Sequence, residues 1–404
     1  MSGDHIIILT GTHEYIVLWM LAGSDLEATP VLLARGEDFI AYPVKVNKLD
    51  RIIIVNRSDE NDWHEIKIDE NIYQLELMTE YYDSDRVLYK HKTPLRGKTV
   101  GYFHLQTKRS DTLAPGYYGG VDPKNYKMIW HHAPARDGET IPVVLLWHVN
   151  TPPSGHSPLF VTFYNFYGDE YTVRPKNWLS LTNRGVVSAY LLPSGGNIKG
   201  RSWWHRGRGT NCINRVTDVE DCIKYFKSEK LCDPKKIASW VASAARMVVT
   251  TNVKLDPSLF VAIAITDGVV DLAGKLCDKT NPTSKALGME YCRGDPTIDL
   301  AAFEGAVQLS GRRGMVEGHK PHTLLLTGSV DHRVYYWVSC NYVLETRRLN
   351  TSDTDTLLFV DNTGHLGEAG RYSNLNRFAV IQAFFLAHLG LACSSYKERI
   401  QTHG

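Results

Sequence analysis

Up to about residue 110, apolar residues fall in short runs broken by polar turns; beyond that, strand-like and helix-like blocks alternate. The early runs are HIIIL (5–9), YIVLWML (15–21), VLLA (31–34), FIAYPVKV (39–46), RIIIV (51–55), EIKI (65–68), YQLELM (73–78), VLYK (87–90) and VGYFHL (100–105). They are β-branched or aromatic, of strand length, and separated by Asp, Asn, Gly and Ser. Several alternate apolar with polar residues, and no helical face emerges. Strands recurring roughly every 10 residues predict antiparallel β-structure, and four-stranded propeller blades have this rhythm. The runs make about two blades, too few to close a ring.

After a glycine-rich joint at 116–120 the texture changes. A hairpin is expected at 128–147, with Arg136, Asp137 and Gly138 supplying the turn. Buried strands are expected at 158–164 and 185–192, and further strands at 237–241, 259–265, 323–328 and 356–361. Thr217 and Glu220 have capping-box spacing and predict a helix start, with Val219, Cys222, Ile223 and Phe226 on its apolar face. Further helices are expected at 244–254, through Trp337, Cys340 and Leu344, and at 374–389. The series predicts a mostly parallel sheet of about eight strands with helices on both faces. The boundary falls near 112, giving an all-β unit at 1–112 and an α/β unit at 113–404.

Composition narrows this picture. With 43% hydrophobic and 22% charged residues in 404, the chain is neither disordered nor a coiled coil. Lys and Arg total 45 against 44 for Asp and Glu, so no nucleic acid and no anionic membrane surface is expected as partner. No run approaches the ~20 apolar residues of a membrane helix, and the run at 15–21 lacks a basic flank; a cytoplasmic protein is expected. The seven cysteines are scattered without a CxxC pair, suggesting buried thiols, not disulfides or zinc ligands.

Chemistry is suggested where strands end. Ser243 directly follows the strand IASWV and opens a helix of small residues; Asp331 follows TLLLTG in the turn SVDHRV; His365 follows TLLFVD in the turn NTGHLGEAGR. Nucleophile, acid, histidine is the chain order of an α/β-hydrolase, whose triad converges at the carboxyl edge of the sheet. A serine hydroxyl needs an imidazole to take its proton, and the imidazole needs a carboxylate to fix its tautomer. Singly, the three read as a capping serine, a turn aspartate and a surface histidine; together they point to a triad.

From about residue 86 to 390 the chain resembles the prolyl oligopeptidase family of serine peptidases, and within it oligopeptidase B. The resemblance rests on GGVDPKNY (119–126), the ARDG turn (135–138), TFYNFYG (162–168), GRSWWHRG (200–207), DPKKIASWVASAARMVV (233–249), DPSLFVAIA (256–264), GSVDHRV (328–334) and NTGHLGEAGRY (362–372). It implies an α/β-hydrolase domain preceded by a propeller, here a partial one. It implies Ser243 as nucleophile, Asp331 as orienting acid and His365 as general base. By the same resemblance Tyr164 and the Ala244 N–H form the oxyanion hole, and Arg333 binds a substrate carbonyl. Read from the residues alone, Tyr164 is a core aromatic beside Phe163, Phe166 and Tyr167. No cofactor is implied.

Departures from the family pattern are equally specific. Its GGSxGG elbow stands here as Val241, Ala242, Ser243, Ala244, Ala245, Arg246; Val241 is expected to crowd the strand–helix approach, and Arg246 replaces a small residue. In LLPSGGNIKG (191–200), Ser194 and Ile198 stand where the family has arginine and glutamate. In GMEYCRGDP (288–296), Tyr291 and Cys292 occupy the places of acidic residues that attract a basic P1 side chain, and Glu290 reaches them only by a register shift. The family's propeller has seven blades, so the chain is expected to be a shortened product or a form that has lost the access filter.

The expected function is hydrolysis of short peptides through an acyl-enzyme on Ser243. The alternatives are a catalytically impaired homologue acting as a binding or scaffold module, and an esterase for small esters. An unpaired edge in the β half is expected to favour self-association or a protein partner. His319 and His322 have a metal-pair spacing, but no third ligand cluster is evident and no metal is expected. The segment 201–208, with Trp203, Trp204 and Arg206, is expected to be a structural loop rather than a nucleic-acid platform.

Overall fold

Alternation with period two forces the N-terminal part of the chain into sheets. The protein, a computed structural model, is described over residues 6–10, 16–20, 26–27, 34–35, 39–46 and 49–392, except 57, 60–61, 69–71, 79–84, 170–172, 282, 292–294, 366 and 368–373. Positions 5, 15, 21 and 31–33 of the expected strands, 366 and 368–372 of the histidine motif, Cys292 and Cys393 lie outside the described residues. By its contacts the chain forms two units, Met1–Lys124 with Arg174–Lys176, and Asn125–Val173 with Asn177–Gly404.

In the first unit a hairpin pairs Ile6–Thr10 with Ile16–Met20. Phe39–Val46, Leu49–Asn56 and Trp63–Ile66 then pair in succession, with Leu26–Glu27 and Ala34–Arg35 added beside Phe39–Val46. Gln74–Leu77, Arg86–Thr93, Gly97–His104 and Arg109–Ala114 form an up-and-down four-stranded sheet. Ile52 and Ile54, Leu75 and Leu77, Val87 and Tyr89 share one core with Phe39, Ala41, Ile66 and Phe103. Every second side chain is therefore selected for the inner face. The strand Arg109–Ala114 is exposed at every position and has no apolar alternation to announce it; backbone pairing to Gly97–His104 alone defines it. Residue 112, where the sequence texture changes, lies inside this strand, and the units divide at Lys124.

The second unit is built on eight strands: β1 Tyr126–Pro134, β2 Thr140–His148, β3 Leu159–Thr162, β4 Val187–Leu191, β5 Ile237–Ala242, β6 Ala262–Thr266, β7 His322–Gly328 and β8 Thr356–Asp361. Their order across the sheet is β1-β2-β4-β3-β5-β6-β7-β8. β1 and β2 form the expected hairpin, β2 is antiparallel to β4, and every later pairing is parallel. Strands this thoroughly covered read as continuous apolar runs, as β3 and β4 do. Leu159 and Val161 turn to one core, whereas Phe160 between them meets Trp178 and Phe385 on the other face.

After a single helical turn at Leu179–Thr182, the longer helices are α1 Arg201–Arg206, α2 Ile213–Ser228, α3 Arg246–Leu255, α4 Leu272–Cys277, α5 Ser284–Tyr291, α6 Leu300–Gln308, α7 Tyr336–Leu349 and α8 Leu375–His388. α2 corrects the expected helix start. Its buried face begins a turn earlier, with Cys212 and Val216, so Thr217 and Glu220 lie inside the helix and not at its cap. Thr217 Oγ1 donates to Asn214 O at 3.1 Å, and Glu220 binds Arg136 and Lys224. Val219, Cys222, Ile223 and Phe226 are fully buried, each apolar side chain of that size contributing ~1.5–3 kcal/mol. The segment expected as a loop at 201–208 is largely helix α1. Trp203 Nε1 donates to Leu192 O at 3.2 Å and Pro193 O at 3.1 Å, while Arg206 bridges Asp137 and Asp218, so this basic, aromatic stretch is spent on folding. Asp271 and Asp299 cap α4 and α6, two helices that the apolar pattern does not reveal.

Candidate active site

At the end of β5 the chain turns into Ser243–Ala245, a single tight turn that continues as α3. Ser243 has φ +51°, in the left-handed region. For a residue with a Cβ this conformation costs roughly 1–2 kcal/mol, and it persists only where the surroundings impose it. The turn lifts the hydroxyl off the end of the sheet, as a nucleophile elbow does. Val241 is fully buried in the core and leaves this turn intact, so the crowding expected there does not displace the serine.

Room for Arg246 comes from a different strand. A Cβ at Gly268, just past β6, would lie 2.3 Å from Arg246 Cδ and 2.9 Å from Ser243 O. The glycine that the elbow lacks is in effect supplied by its neighbour. The guanidinium, fully buried, donates through Nη1 to Gly268 O and Ser339 Oγ, while Nε and Nη2 find no hydrogen-bond partner among the described residues. Burial pushes its pKa down to about 9.

Ser243 Oγ lies 2.9 Å from His365 Nε2, and His365 Nδ1 lies 2.8 Å from Asp331 Oδ2. Asp331 Oδ1 accepts the Arg333 N–H at 2.7 Å and the Val334 N–H at 2.9 Å, which fixes the carboxylate in its turn. Burial works against the charge on Asp331, but His365 and these two amides outweigh it and hold its pKa below the ordinary value. The acid and histidine loops rest directly on each other. A Cβ at Gly328 would stand 2.1 Å from Thr363 O, and Val330 N–H donates to that same oxygen at 3.2 Å. Behind them Arg377 of α8 ties Asp267, Asp361 and Thr363 together, and Asp267 Oδ1 accepts the Gly328 N–H at 2.9 Å. None of this bracing was expected from the sequence; its one signal is an arginine among the core-facing positions of the last helix.

The Tyr164 side chain lies near Ser243, and burial raises its pKa, so its hydroxyl remains a donor. Ala244 sits in the first turn of the elbow helix, where an N–H has no intrahelical acceptor. Arg333 is exposed beside Asp331, its carbonyl accepting Lys275 Nζ at 2.6 Å.

Glu290 has an internal use. It is 2% exposed, accepts the Tyr167 N–H at 2.8 Å and Trp204 Nε1 at 3.2 Å, and pairs with fully buried Arg215. Arg215 in turn lies 4.2 Å above the Phe166 ring. The sequence hinted at neither partner.

The strand order and the convergence of three loops at the carboxyl edge define an α/β-hydrolase fold. The profile of the Prolyl oligopeptidase family matches residues 171–392, and the chain belongs to that family. It is 26% identical to Protease 2 of Moraxella lacunata over 362 residues, covering 88% of this chain and 51% of the relative. It is also 26% identical to dipeptidyl aminopeptidase BI of Pseudoxanthomonas mexicana over 383 residues, covering 93% and 51%. The chain thus spans about half the length of the curated relatives it matches. The fold matches oligopeptidase B from Leishmania major with a TM-score of 0.82 at 22% identity, covering 94% of this chain and 54% of the other. Among the described residues no helix is long and apolar enough to cross a membrane.

Proposed function

We propose that this chain is a serine-type peptidase acting on short peptides. The observation that carries the reading is the continuous hydrogen-bonded path from Ser243 through His365 to Asp331 at a strained elbow. An ionised Asp331 only accepts, so the proton on His365 sits on Nδ1 and leaves Nε2 free to take the Ser243 proton. Ser243 Oγ then attacks the scissile carbonyl, and His365 returns the proton to the leaving amine. The oxyanion is held by the Tyr164 hydroxyl and the Ala244 N–H, and Arg333 binds a substrate carbonyl. The 1–112 region serves as a partial propeller ahead of the 113–404 hydrolase, its edge strand Arg109–Ala114 offering a surface for self-association or a protein partner. Five unpaired cysteines among the described residues fit a reducing, cytoplasmic setting. Because Glu290 is neutralised by Arg215, it is not available to a basic P1 side chain.

The test is labelling by a fluorophosphonate. The wild-type chain is expected to react and Ser243→Ala to be inert; a folded wild type that fails to label at Ser243 would sink the peptidase and esterase readings together and leave the scaffold. A panel of peptides and small esters then separates the two hydrolytic activities. Tyr164→Phe removes one oxyanion donor and is expected to lower kcat by ~100-fold or more with KM little changed, as steady-state kinetics would register. A loss of less than about threefold would remove Tyr164 from the oxyanion hole.

A further inference from the structure

Ser243, Asp331 and His365 all follow the carboxyl ends of strands. At the opposite edge of the sheet another set of donors converges. His322 is the first residue of β7, Asp355 immediately precedes β8, and His388 is the last residue of α8. The two imidazoles stack, their centroids 3.7 Å apart and their planes within 22° of parallel. Asp355 Oδ2 lies 3.4 Å from His322 Nδ1 and 3.4 Å from His388 Nε2. One donor atom from each residue falls within 4.8 Å of the other two.

Two of these separations match a metal site once the stacked rings turn their in-plane lone pairs toward a common point. With zinc–ligand bonds of ~2.0–2.1 Å, the donors of a tetrahedral site stand roughly 3.3–3.4 Å apart, so two of the three donor–donor edges are already at that length. Two protonated rings would repel at stacking distance, whereas each neutral ring offers one lone pair. No lysine or arginine among the described residues lies within ion-pair distance of Asp355, and Asp353 adds a second negative charge near His322. The Phe384 ring stands edge-on to His388, 4.5 Å away. His322 Nδ1 also accepts the Asp355 N–H at 3.0 Å, a hydrogen bond that a metal bond would replace.

We propose that His322, Asp355 and His388 form a binding site for a divalent transition-metal cation of the zinc type, with a fourth position open to water. Two imidazoles and a carboxylate suit zinc over magnesium or calcium. The role is structural: the ion pins the end of α8 to the starts of β7 and β8. The histidine pair suggested by spacing was a different one, for His319 instead meets Ser352 Oγ at 3.1 Å.

The test is titration of chelator-treated full-length protein with zinc chloride, followed by calorimetry and by thermal unfolding. Wild type is expected to bind one equivalent and to melt at a higher temperature as zinc is added. His388→Ala and His322→Ala are expected to weaken binding at least tenfold and abolish the thermal gain. Asp355→Asn, at an exposed position, leaves the fold unperturbed and is expected to weaken binding as well. Cobalt should give the intense visible absorption of a four-coordinate site in wild type and not in these variants. Equal zinc affinity in wild type and all three variants would assign binding to cysteine thiols or other surface groups and overturn the proposal, as would no binding to wild type. Fluorophosphonate labelling of Ser243 is expected to be unchanged in Asp355→Asn.

Discussion

Asp331→Asn is expected to lower kcat by on the order of 10⁴-fold while the protein stays folded and KM changes little. The two oxygens of Asp331 have different tasks. Oδ1 accepts two backbone N–H groups, from Arg333 and Val334, and an asparagine can keep both. Oδ2 accepts the His365 Nδ1 proton. An amide NH₂ in that place donates instead, which selects the tautomer with its proton on Nε2. That nitrogen can then no longer accept from Ser243. The rate of fluorophosphonate labelling should fall with kcat, because both report serine activation. Unchanged labelling in a folded Asp331→Asn protein would show that His365 is oriented by something else. Stability carries a second signature. Because the pKa of Asp331 is depressed, its contribution is present above the unfolded carboxylate value and is lost as pH falls through the lower folded value. Asp331→Asn should therefore flatten the stability profile at the acid end only.

The meeting of Ser243, Asp331 and His365 was legible because each closes an apolar strand run, and strand ends in a mostly parallel sheet meet at one edge. What accommodates and braces it was not. Gly268 makes room for Arg246 from the next strand, and Gly328 lets the Thr363 carbonyl lie against β7. Both compensations join residues far apart in sequence that only the strand order brings together. Hydrophobic periodicity reports which face a residue uses, not which strand lies beside it. The exposed strand Arg109–Ala114 escaped notice for a related reason: its pairing uses backbone groups, which every residue has. The early capping box at Thr217 failed because the apolar face ran one turn further back than the polar signal. Bracing by Arg377 left a trace, a charge on a buried helix face, but three acceptors from two different strand ends cannot be inferred from it.

Arg215→Met is expected to destabilise the second unit by about 3–5 kcal/mol, the usual result of removing one partner of a buried pair. Arg215 and Glu290 have no access to water that could solvate a survivor. The site is also sterically committed to the guanidinium: a Cβ at Gly195 would stand 2.1 Å from Arg215 Nε, so this glycine, at φ +102°, exists to admit the arginine. Methionine can fill much of the space against Phe166 and Tyr291, which leaves the unpaired Glu290 carboxylate as the principal cost. The companion change Glu290→Gln tests that assignment. Its amide oxygen can still accept the Tyr167 N–H, while the uncompensated charge disappears. Arg215→Met/Glu290→Gln is therefore expected to recover at least half of the loss, as a double-mutant cycle in urea would measure. Additive losses from the two single changes would mean that packing, not charge, governs the site. The pair also bears on the chemistry, because Glu290 pins the Tyr167 backbone in a left-handed turn on the segment that carries Tyr164. In Arg215→Met the uncompensated carboxylate no longer holds the Tyr167 N–H firmly, and the turn beside Tyr164 loosens with it; kcat should fall in the single variant and return in the double.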